Sequence, residues 1–191
     1  MSTVKSKNLQ VGTDATASNN FTIYQPSTPD GTLRIGVGNA DSPTEVGRFN
    51  SNGYVATNAP AFSAYINVAQ SISATTYTKI QFDTEHFDTN SNYDTTTYRF
   101  TPTVAGYYQI NFGFKTNVAQ TRTILLIYKN GAQERGVVDL QSATGGCDMS
   151  CLLYMNGSTD YIEPYAYLAS AANSNTGSVS SYFDAYLARA V

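Results

Sequence analysis

The stretch Ala105-Gly106-Tyr107-Tyr108-Gln109-Ile110-Asn111-Phe112-Gly113-Phe114 decides the fold of this chain. Apolar side chains occupy every second position from Tyr108 onwards, and Tyr107, Gln109 and Asn111 fall between them. An alternation of period two is typical of a strand that buries one face and exposes the other. The stretch therefore predicts a long strand whose buried face consists of Tyr108, Ile110, Phe112 and Phe114.

On both sides of this stretch, similar strands recur at intervals of about ten residues with turn residues between them. The predicted strands are 61–66, 78–82, 123–128, 149–155, 161–168 and 182–188. No segment shows a helical stripe, and charged residues make up only 13% of the chain, which is few for the solvated faces of helices. The chain instead has 15 Tyr and 9 Phe, which favour strands. We therefore predict an all-β fold, an antiparallel jelly-roll sandwich.

Residues 1–58 differ in composition from residues 60–191, and Pro60 separates the two parts. The first part is rich in Gly, Asn, Thr and Ser and has only short apolar alternations, such as Phe21–Tyr24 and Leu33–Val37. A segment with so few apolar side chains is not expected to form a stable hydrophobic core of its own. We expect a β-rich N-terminal arm over 1–58, stabilised by copies of itself or by another protein, and a knob over 60–191.

Five segments of the second part follow one another in an order typical of one family. They are Pro60-Ala61-Phe62-Ser63-Ala64, Asn92-Tyr93-Asp94 with Tyr98-Arg99-Phe100-Thr101-Pro102, Ala105-Gly106-Tyr107-Tyr108 with Ile110 and Phe112, Lys129-Asn130-Gly131, and Ser181-Tyr182-Phe183-Asp184-Ala185-Tyr186-Leu187. Together they resemble the globular head of complement proteins, the jelly roll shared with tumour necrosis factor. Two positions depart from the family pattern, since Ala185 stands near a usual Gly and Thr101 near a frequent Cys. The collagen-like Gly-X-Y repeat of the eukaryotic members does not occur.

The resemblance implies a homotrimer whose protomers pack around a threefold axis through aromatic-rich sheet faces. The aromatic residues that we predict for the axis or for the core are Tyr108, Phe112, Tyr165, Tyr167 and Tyr186. Periodicity alone leaves both roles open for each of them, because it assigns a side chain to a face and does not say what covers that face.

Two stretches of the first part, Thr32–Ala40 and Arg48–Val55, resemble segments of tail fibres and virion surface proteins of tailed phages. The resemblance implies that residues 1–58 anchor the protein to a virus particle. The apolar residues that we predict to make this contact are Leu9, Val11, Phe21, Ile23, Leu33 and Ile35.

A local acidic cluster is the strongest candidate for a metal site. Asp83, Glu85 and Asp88 are weak candidates for binding calcium, which takes carboxylate oxygens, and the alternative is a solvated loop. His86, the single histidine, lies among them, but a catalytic triad also needs a nucleophile elbow, and no G-x-S-x-G is present. We therefore predict no catalytic residues and no cofactor.

The sequence lacks the motifs of nucleotide-binding, nucleic-acid-binding and membrane-spanning proteins. Ile35-Gly36-Val37-Gly38 lacks the third glycine of a dinucleotide loop, because position 41 is Asp41. The net charge is −3 and no basic run occurs, so we expect no nucleic-acid partner. No apolar run is long enough to predict a membrane helix.

Cys147 and Cys151 are the two cysteines of the chain. On one extended strand, residues four apart are separated by roughly 13 Å, which is beyond the reach of a disulfide. We therefore favour free thiols, and a bend at Gly145-Gly146 leaves the disulfide open as the alternative. Free thiols are compatible with assembly in a reducing cytoplasm.

These observations lead to one functional hypothesis and one alternative. The hypothesis is a non-enzymatic capsid decoration (cement) protein of a tailed phage, made in the host cytoplasm and located on the virion surface. Its partners would be two further copies of itself and the major capsid protein or another virion protein. The alternative is a short tail or head fibre whose knob binds a host-surface receptor.

Overall fold

The computed structural model describes residues 8–56, 59–142 and 146–191. Within these ranges the chain forms two compact units, one within Met1–Asn58 and one within Ala59–Val191. The helical content of the described residues is a single 3-10 turn at Ala17–Asn19, and the remaining regular structure is β-strand. The predicted all-β class is confirmed.

The first unit is one antiparallel sheet whose five strands follow the order of the chain. Its strands are β1 (Asn8–Val11), β2 (Phe21–Tyr24), β3 (Leu33–Val37), β4 (Thr44–Asn50) and β5 (Gly53–Ala56). The β2–β3 connection contains Gly31 and β5 begins at Gly53, both at positive φ that only glycine adopts without strain. A sheet of consecutive hairpins aligns the side chains of each face in rows that cross all of its strands.

The second unit consists of two main antiparallel sheets. Its strands are β6 (Ala61–Tyr65), β7 (Ser71–Ile72), β8 (Thr78–Lys79), β9 (Thr84–Asp88), β10 (Tyr93–Asp94), β11 (Arg99–Phe100), β12 (Gly106–Lys115), β13 (Gln120–Lys129), β14 (Ala132–Ser142), β15 (Gly146–Met155), β16 (Ile162–Leu168), β17 (Ala172–Asn173) and β18 (Tyr182–Ala190). One sheet has the order β15-β12-β18-β6-β9. The other has the order β10-β11-β16-β13-β14, with β8 paired to β16, and β7 pairs with β17 separately. The two sheets form the predicted sandwich.

The core of the second unit lies between the two sheets and is rich in aromatic rings. Strand β12 contributes its predicted apolar face, and Tyr108, Ile110, Phe112 and Phe114 are all buried. Phe62 occupies the centre of an aromatic cluster: its ring centroid lies 4.7 Å from that of Tyr93, 4.5 Å from that of Phe100 and 5.1 Å from that of Phe183. Truncation of such a buried ring typically costs about 3–5 kcal/mol. The alternation that predicted β12 thus also predicted which of its two faces lies in the core.

The structure differs from the sequence-based prediction at the sheet edges. Strands β1, β9 and β14 were not predicted, and each of them is an edge strand of its sheet. Edge strands pair on one side only and carry more polar residues, so their alternation is weak. The predicted strand 78–82 forms a ladder only at Thr78–Lys79, although Ile80 and Phe82 are both buried, as their shared face predicted.

Candidate assembly and anchoring surfaces

The sheet of the first unit presents one apolar face. Partners in an antiparallel ladder lie on the same face, and the register places Leu9 opposite Ile23 and Ile23 opposite Ile35. Val11 lies opposite Phe21 in the same way. The arm face, as we call this surface, consists of Leu9, Val11, Phe21, Ile23, Leu33 and Ile35. The first five are between 37% and 58% exposed, and Ile35 is half-buried.

The opposite face of the same sheet is polar, and its charges are paired. Glu45 accepts from Arg34 and Arg48, with nitrogen–oxygen distances of 3.0 and 2.6 Å. Arg34 also pairs with Asp30. Hydrogen bonds from Thr32 and then from Arg34 lower the pKa of Asp30 to about 2. The sheet is therefore amphipathic, and the arm face is the side that is suited to another layer.

The six residues predicted to anchor the protein thus come together on one surface. Their contact with a capsid stays a prediction, because the structure contains no partner. Sequence reasoning missed Phe49, which lies opposite Leu33 on the same face and is also exposed. Val46 and Phe49 are three residues apart, so the apolar residues of β4 do not follow a period of two, and the ladder shifts its register at this point.

The knob carries a second exposed patch, on the outward side of the sheet β15-β12-β18-β6-β9. The register places Tyr107 opposite Tyr154, and Gln109 opposite both Leu152 and Tyr186. The rings of Tyr107 and Tyr154 meet edge to face at 5.7 Å. The knob face, as we call this patch, has five large exposed side chains. They are Tyr107, Leu152, Tyr154, Tyr186 and Phe87, between 42% and 51% exposed.

A polar row crosses the knob face between these side chains. The register aligns Ser150, Asn111, Asp184 and Ser63 across four neighbouring strands. Gln109 Nε2 donates to Ser150 Oγ at 2.6 Å, and Ser150 Oγ donates to Asn111 Oδ1 at 2.9 Å. At the edge of the row, the imidazole of His86 lies 4.7 Å from the ring of Tyr65. A side-chain hydrogen bond thus links Ser150 and Asn111, the two members of the polar row on the β15 side of Asp184.

The four tyrosines and one phenylalanine predicted for the threefold axis or for the core lie in three environments. Tyr186 is exposed on the knob face, and its role at an interface stays a prediction. Tyr108 and Phe112 are fully buried in the core, which is one of the two roles that the sequence left open for them. Tyr165 and Tyr167 lie on the outward side of the other sheet. Sequence reasoning missed Tyr107, although the alternation of β12 already placed it opposite the core.

The outward side of the second sheet is built around a buried carboxylate. Glu163 is 2% exposed and accepts from Arg99 Nε at 2.7 Å and from Lys79 Nζ at 3.0 Å. The guanidinium of Arg99 also lies over the ring of Tyr161, 4.1 Å from its centroid. Since this buried carboxylate is already paired with two cations through Oε1, we assign it a structural role.

Two of the three acidic residues predicted as calcium candidates, Asp83 and Asp88, accept hydrogen bonds from the backbone of nearby loops. Asp83 accepts from the amides of Asn67 and Val68 at 2.7 and 2.9 Å. Asp88 accepts from the amide of Tyr93 at 2.6 Å. Burial, and then the charge of Asp88, raise the pKa of Glu85. Within the described ranges, no group of three or more His, Cys, Asp or Glu side chains is arranged to hold a metal ion.

Cys147 and Cys151 are both free thiols, as their spacing predicted. Burial raises the pKa of Cys147 to about 12 and that of Cys151 to about 11. Thiols react as thiolates, so both side chains are poorly suited to nucleophilic or redox chemistry. A depression of about 270 Å³ is lined by Ser71, Asn117, Val118, Ala171, Ala172 and Asn173, none of which is an acid, a base or a thiol. In the part of the chain that the structure describes, no helix has the length and hydropathy needed to cross a bilayer.

Comparison with known proteins supports the fold of the second unit. The family model described as the C1q domain matches residues 61–186. The globular domain of zebrafish complement 1qA protein is 17% identical, and the match covers 69% of this chain and 99% of that chain with a TM-score of 0.51. Murine APRIL is 10% identical, with coverage of 68% and 98% and a TM-score of 0.53. These identities show a shared fold alone.

Two further comparisons add little. The PRD1 vertex protein P5 is 17% identical, with coverage of 68% of this chain and 97% of that chain, but its TM-score is 0.48 and we draw no conclusion from it. No curated protein matches the chain.

Proposed function

The chain belongs to the C1q domain family, and from this premise we propose that it is a non-enzymatic structural protein of a virus particle, a trimeric capsid decoration protein. In this proposal the arm binds the capsid and the knob projects outward. No catalytic family is indicated by the comparisons. The work of such a protein is mechanical, because the area buried at its contacts resists separation of the capsid subunits.

The observation that carries the proposal is the arm face. A soluble protein rarely exposes a contiguous apolar patch unless the patch binds something. Here Phe21, Leu33 and their neighbours line one side of a single sheet, and the ion pairs of Arg34, Arg48 and Glu45 occupy the other side. An apolar surface of this kind fits a largely uncharged surface on a capsid protein. The resemblance of Thr32–Ala40 and Arg48–Val55 to phage virion segments supports that choice of partner.

The knob face supports the homotrimer. Aromatic side chains such as Tyr107, Tyr154 and Tyr186 provide large contact area at low conformational cost, and they are enriched where proteins meet. The resemblance to complement heads implies protomers that pack through such faces. A trimer would also hold three arms together, so that weak arm contacts add up through effective concentration.

One observation favours the alternative, a fibre whose knob binds a host receptor. The outward side of the second sheet carries partly exposed tyrosines, and the rings of Tyr128 and Tyr165 stack at 4.0 Å while those of Tyr77 and Tyr167 lie 5.3 Å apart. Tyrosine-rich surfaces are common in binding sites. If the protein is located on a phage tail, this surface is the candidate receptor-binding site.

The proposal is tested on the particle itself. Cryo-electron microscopy would locate the chain and count its copies, and we expect many copies on the icosahedral lattice with residues of the arm against capsid subunits. A few copies confined to the tail would overturn the decoration role and favour the fibre.

A variant tests the arm face directly. We expect Phe21→Lys to weaken binding to particles assembled without this chain by about tenfold or more, because a charge would be buried in an apolar contact. Val55→Lys is the matched control, since Val55 is also exposed but pairs with Arg48 on the polar face. Equal binding of the two variants would show that the arm face is not the contact.

A further inference from the structure

Asp184 is the one carboxylate in the polar row of the knob face. It lies on β18, the middle strand of its sheet, between Asn111 of β12 and Ser63 of β6. A hydrogen bond from the Ser63 side chain acts on the carboxyl group. Its Oδ1 atom is buried and has no hydrogen-bond partner. One oxygen of this carboxylate is therefore left without the donor that its charge requires.

The groups that face Asp184 do not compensate its charge well. Burial raises the pKa of this carboxyl group, and the Ser63 hydrogen bond and the charge of His86 on β9 act in the opposite direction. On its own strand, Tyr182 faces it, and burial, followed by the charges of Asp148 and Asp184, raises the pKa of that phenol. The β12 neighbour, Asn111, is neutral. Among these neighbours His86 alone can supply positive charge.

Association of two copies through the knob face would change the surroundings of this carboxylate. The exposed rings around the row, such as Tyr186 and Tyr107, are the side chains that a second copy would cover. Covering them removes the water that still reaches the half-buried Asp184, and loss of water disfavours the charged form. A protonated carboxyl group carries no charge and gains a donor that can reach an acceptor on the neighbouring copy.

From this geometry we propose that protonation of Asp184 strengthens the contact between copies on the knob face. The inference rests on the proposed homotrimer and adds its regulation. A group whose pKa is higher in the assembled state contributes stability that is fully present below its pKa in the separate chains. That contribution is lost as the pH rises through the pKa in the assembly. Assembly is therefore tighter in acid and looser near neutrality.

The test is sedimentation velocity of the full chain at about pH 4.5 and at about pH 7.5, a range that spans the titration of a carboxyl group with a raised pKa. For the unmodified chain, we expect the dissociation constant of the trimer to rise by about tenfold or more at the higher pH. Asp184→Asn keeps the shape of the side chain and removes its charge, so this variant should remain tightly associated at both pH values.

Two controls separate the groups that titrate. Asp148→Asn removes an exposed carboxylate from the same side of the sheet and should keep the pH dependence. His86 acts on the carboxyl group of Asp184, so His86→Gln measures the part of the pH dependence that depends on this neighbour. Far-ultraviolet circular dichroism at each pH confirms that the variants are folded.

Four outcomes would overturn the inference. An Asp184→Asn variant with unchanged pH dependence shows that another group is responsible. A variant that is weakened at both pH values shows that the ionised carboxylate is paired across the contact. If every form sediments as a 20.6 kDa monomer, the homotrimer fails and this inference fails with it. A trimer whose association is independent of pH overturns only the inference and leaves the proposed function standing.

Discussion

At the scale of single residues, Glu163 shows how the knob uses a buried charge. Its carboxylate joins three segments that are distant in sequence, because Lys79 lies on β8, Arg99 on β11 and Glu163 itself on β16. Lys79 Nζ also donates to the carbonyl of Thr97 at 3.0 Å. The carboxylate is buried while both cations keep part of their hydration, so removal of the carboxylate and removal of a cation have different consequences.

We expect Glu163→Ala to lower the free energy of unfolding by about 2 kcal/mol, since the two cations would lose their common acceptor in a poorly hydrated site. Glu134→Ala is the matched control. Glu134 pairs with Arg135 at 3.0 Å, but both side chains are exposed, so the loss should stay within about 0.5 kcal/mol. Urea denaturation of both variants measures the difference. Losses of equal size would contradict the structural role of Glu163.

At the scale of elements, the start of β12 depends on the close approach of β18. The ladder between these strands shifts its register at Tyr107 and Tyr108. A Cβ atom on Gly106 would overlap the carbonyl oxygen of Arg189 and the side chain of Leu187. The chain therefore needs glycine at position 106 for space, and the Gly-aromatic-aromatic pattern has a steric cause.

We expect Gly106→Ala to destabilise the knob by about 2 kcal/mol, because the overlap with backbone can be relieved only by moving a strand. For a chain of this size that corresponds to a fall in Tm of roughly 4–8 °C. Gly146→Ala, on the adjacent strand β15, serves as the control, since its Cβ would make ordinary contact with Lys115 at 3.5 Å. Differential scanning calorimetry compares the two. A Tm for Gly106→Ala that matches the control would remove the steric explanation.

At the scale of the whole molecule, the two units differ in how they bury apolar surface. The hydrophobic core cluster of the described residues runs from Phe62 to Leu187 and so lies entirely in the second unit. The first unit is a single sheet whose arm face is exposed. A sheet with one apolar face is stable only when that face is covered. This difference leads us to expect that the knob folds from its own sequence and that the arm needs a partner.

We therefore expect residues 59–191 alone to fold and to unfold cooperatively, and residues 1–58 alone to lack a stable sheet. Proton NMR of the two fragments provides the measurement, with dispersed amide signals expected for the larger fragment only. Dispersed signals from a monomeric 1–58 fragment would show that the arm needs no partner, and the anchoring proposal would lose its physical basis.

The sequence by itself determined the features that depend on neighbouring residues. Alternation identified β12 and its buried face, because the hydrophobicity of each side chain decides which side of a strand leaves water. Asn130-Gly131 predicted a hairpin, and both residues adopt positive φ in the structure. The spacing of Cys147 and Cys151 predicted free thiols for the same local reason. The apolar residues of the arm were also recognised from sequence, although their meeting on one face required the register.

Only the tertiary structure decided what covers each face. The alternation placed Tyr107 on the face opposite the core, but only the structure shows that it lies beside Tyr154 on the exposed knob face. The approach of Lys79 and Arg99 to Glu163 joins residues that are far apart in the chain, and so does the placement of Asp184 between Asn111 and Ser63. Period two assigns a side chain to a face, whereas the order and register of strands decide which residues share that face. Strand order is set by the packing of the entire sandwich, which no local pattern encodes.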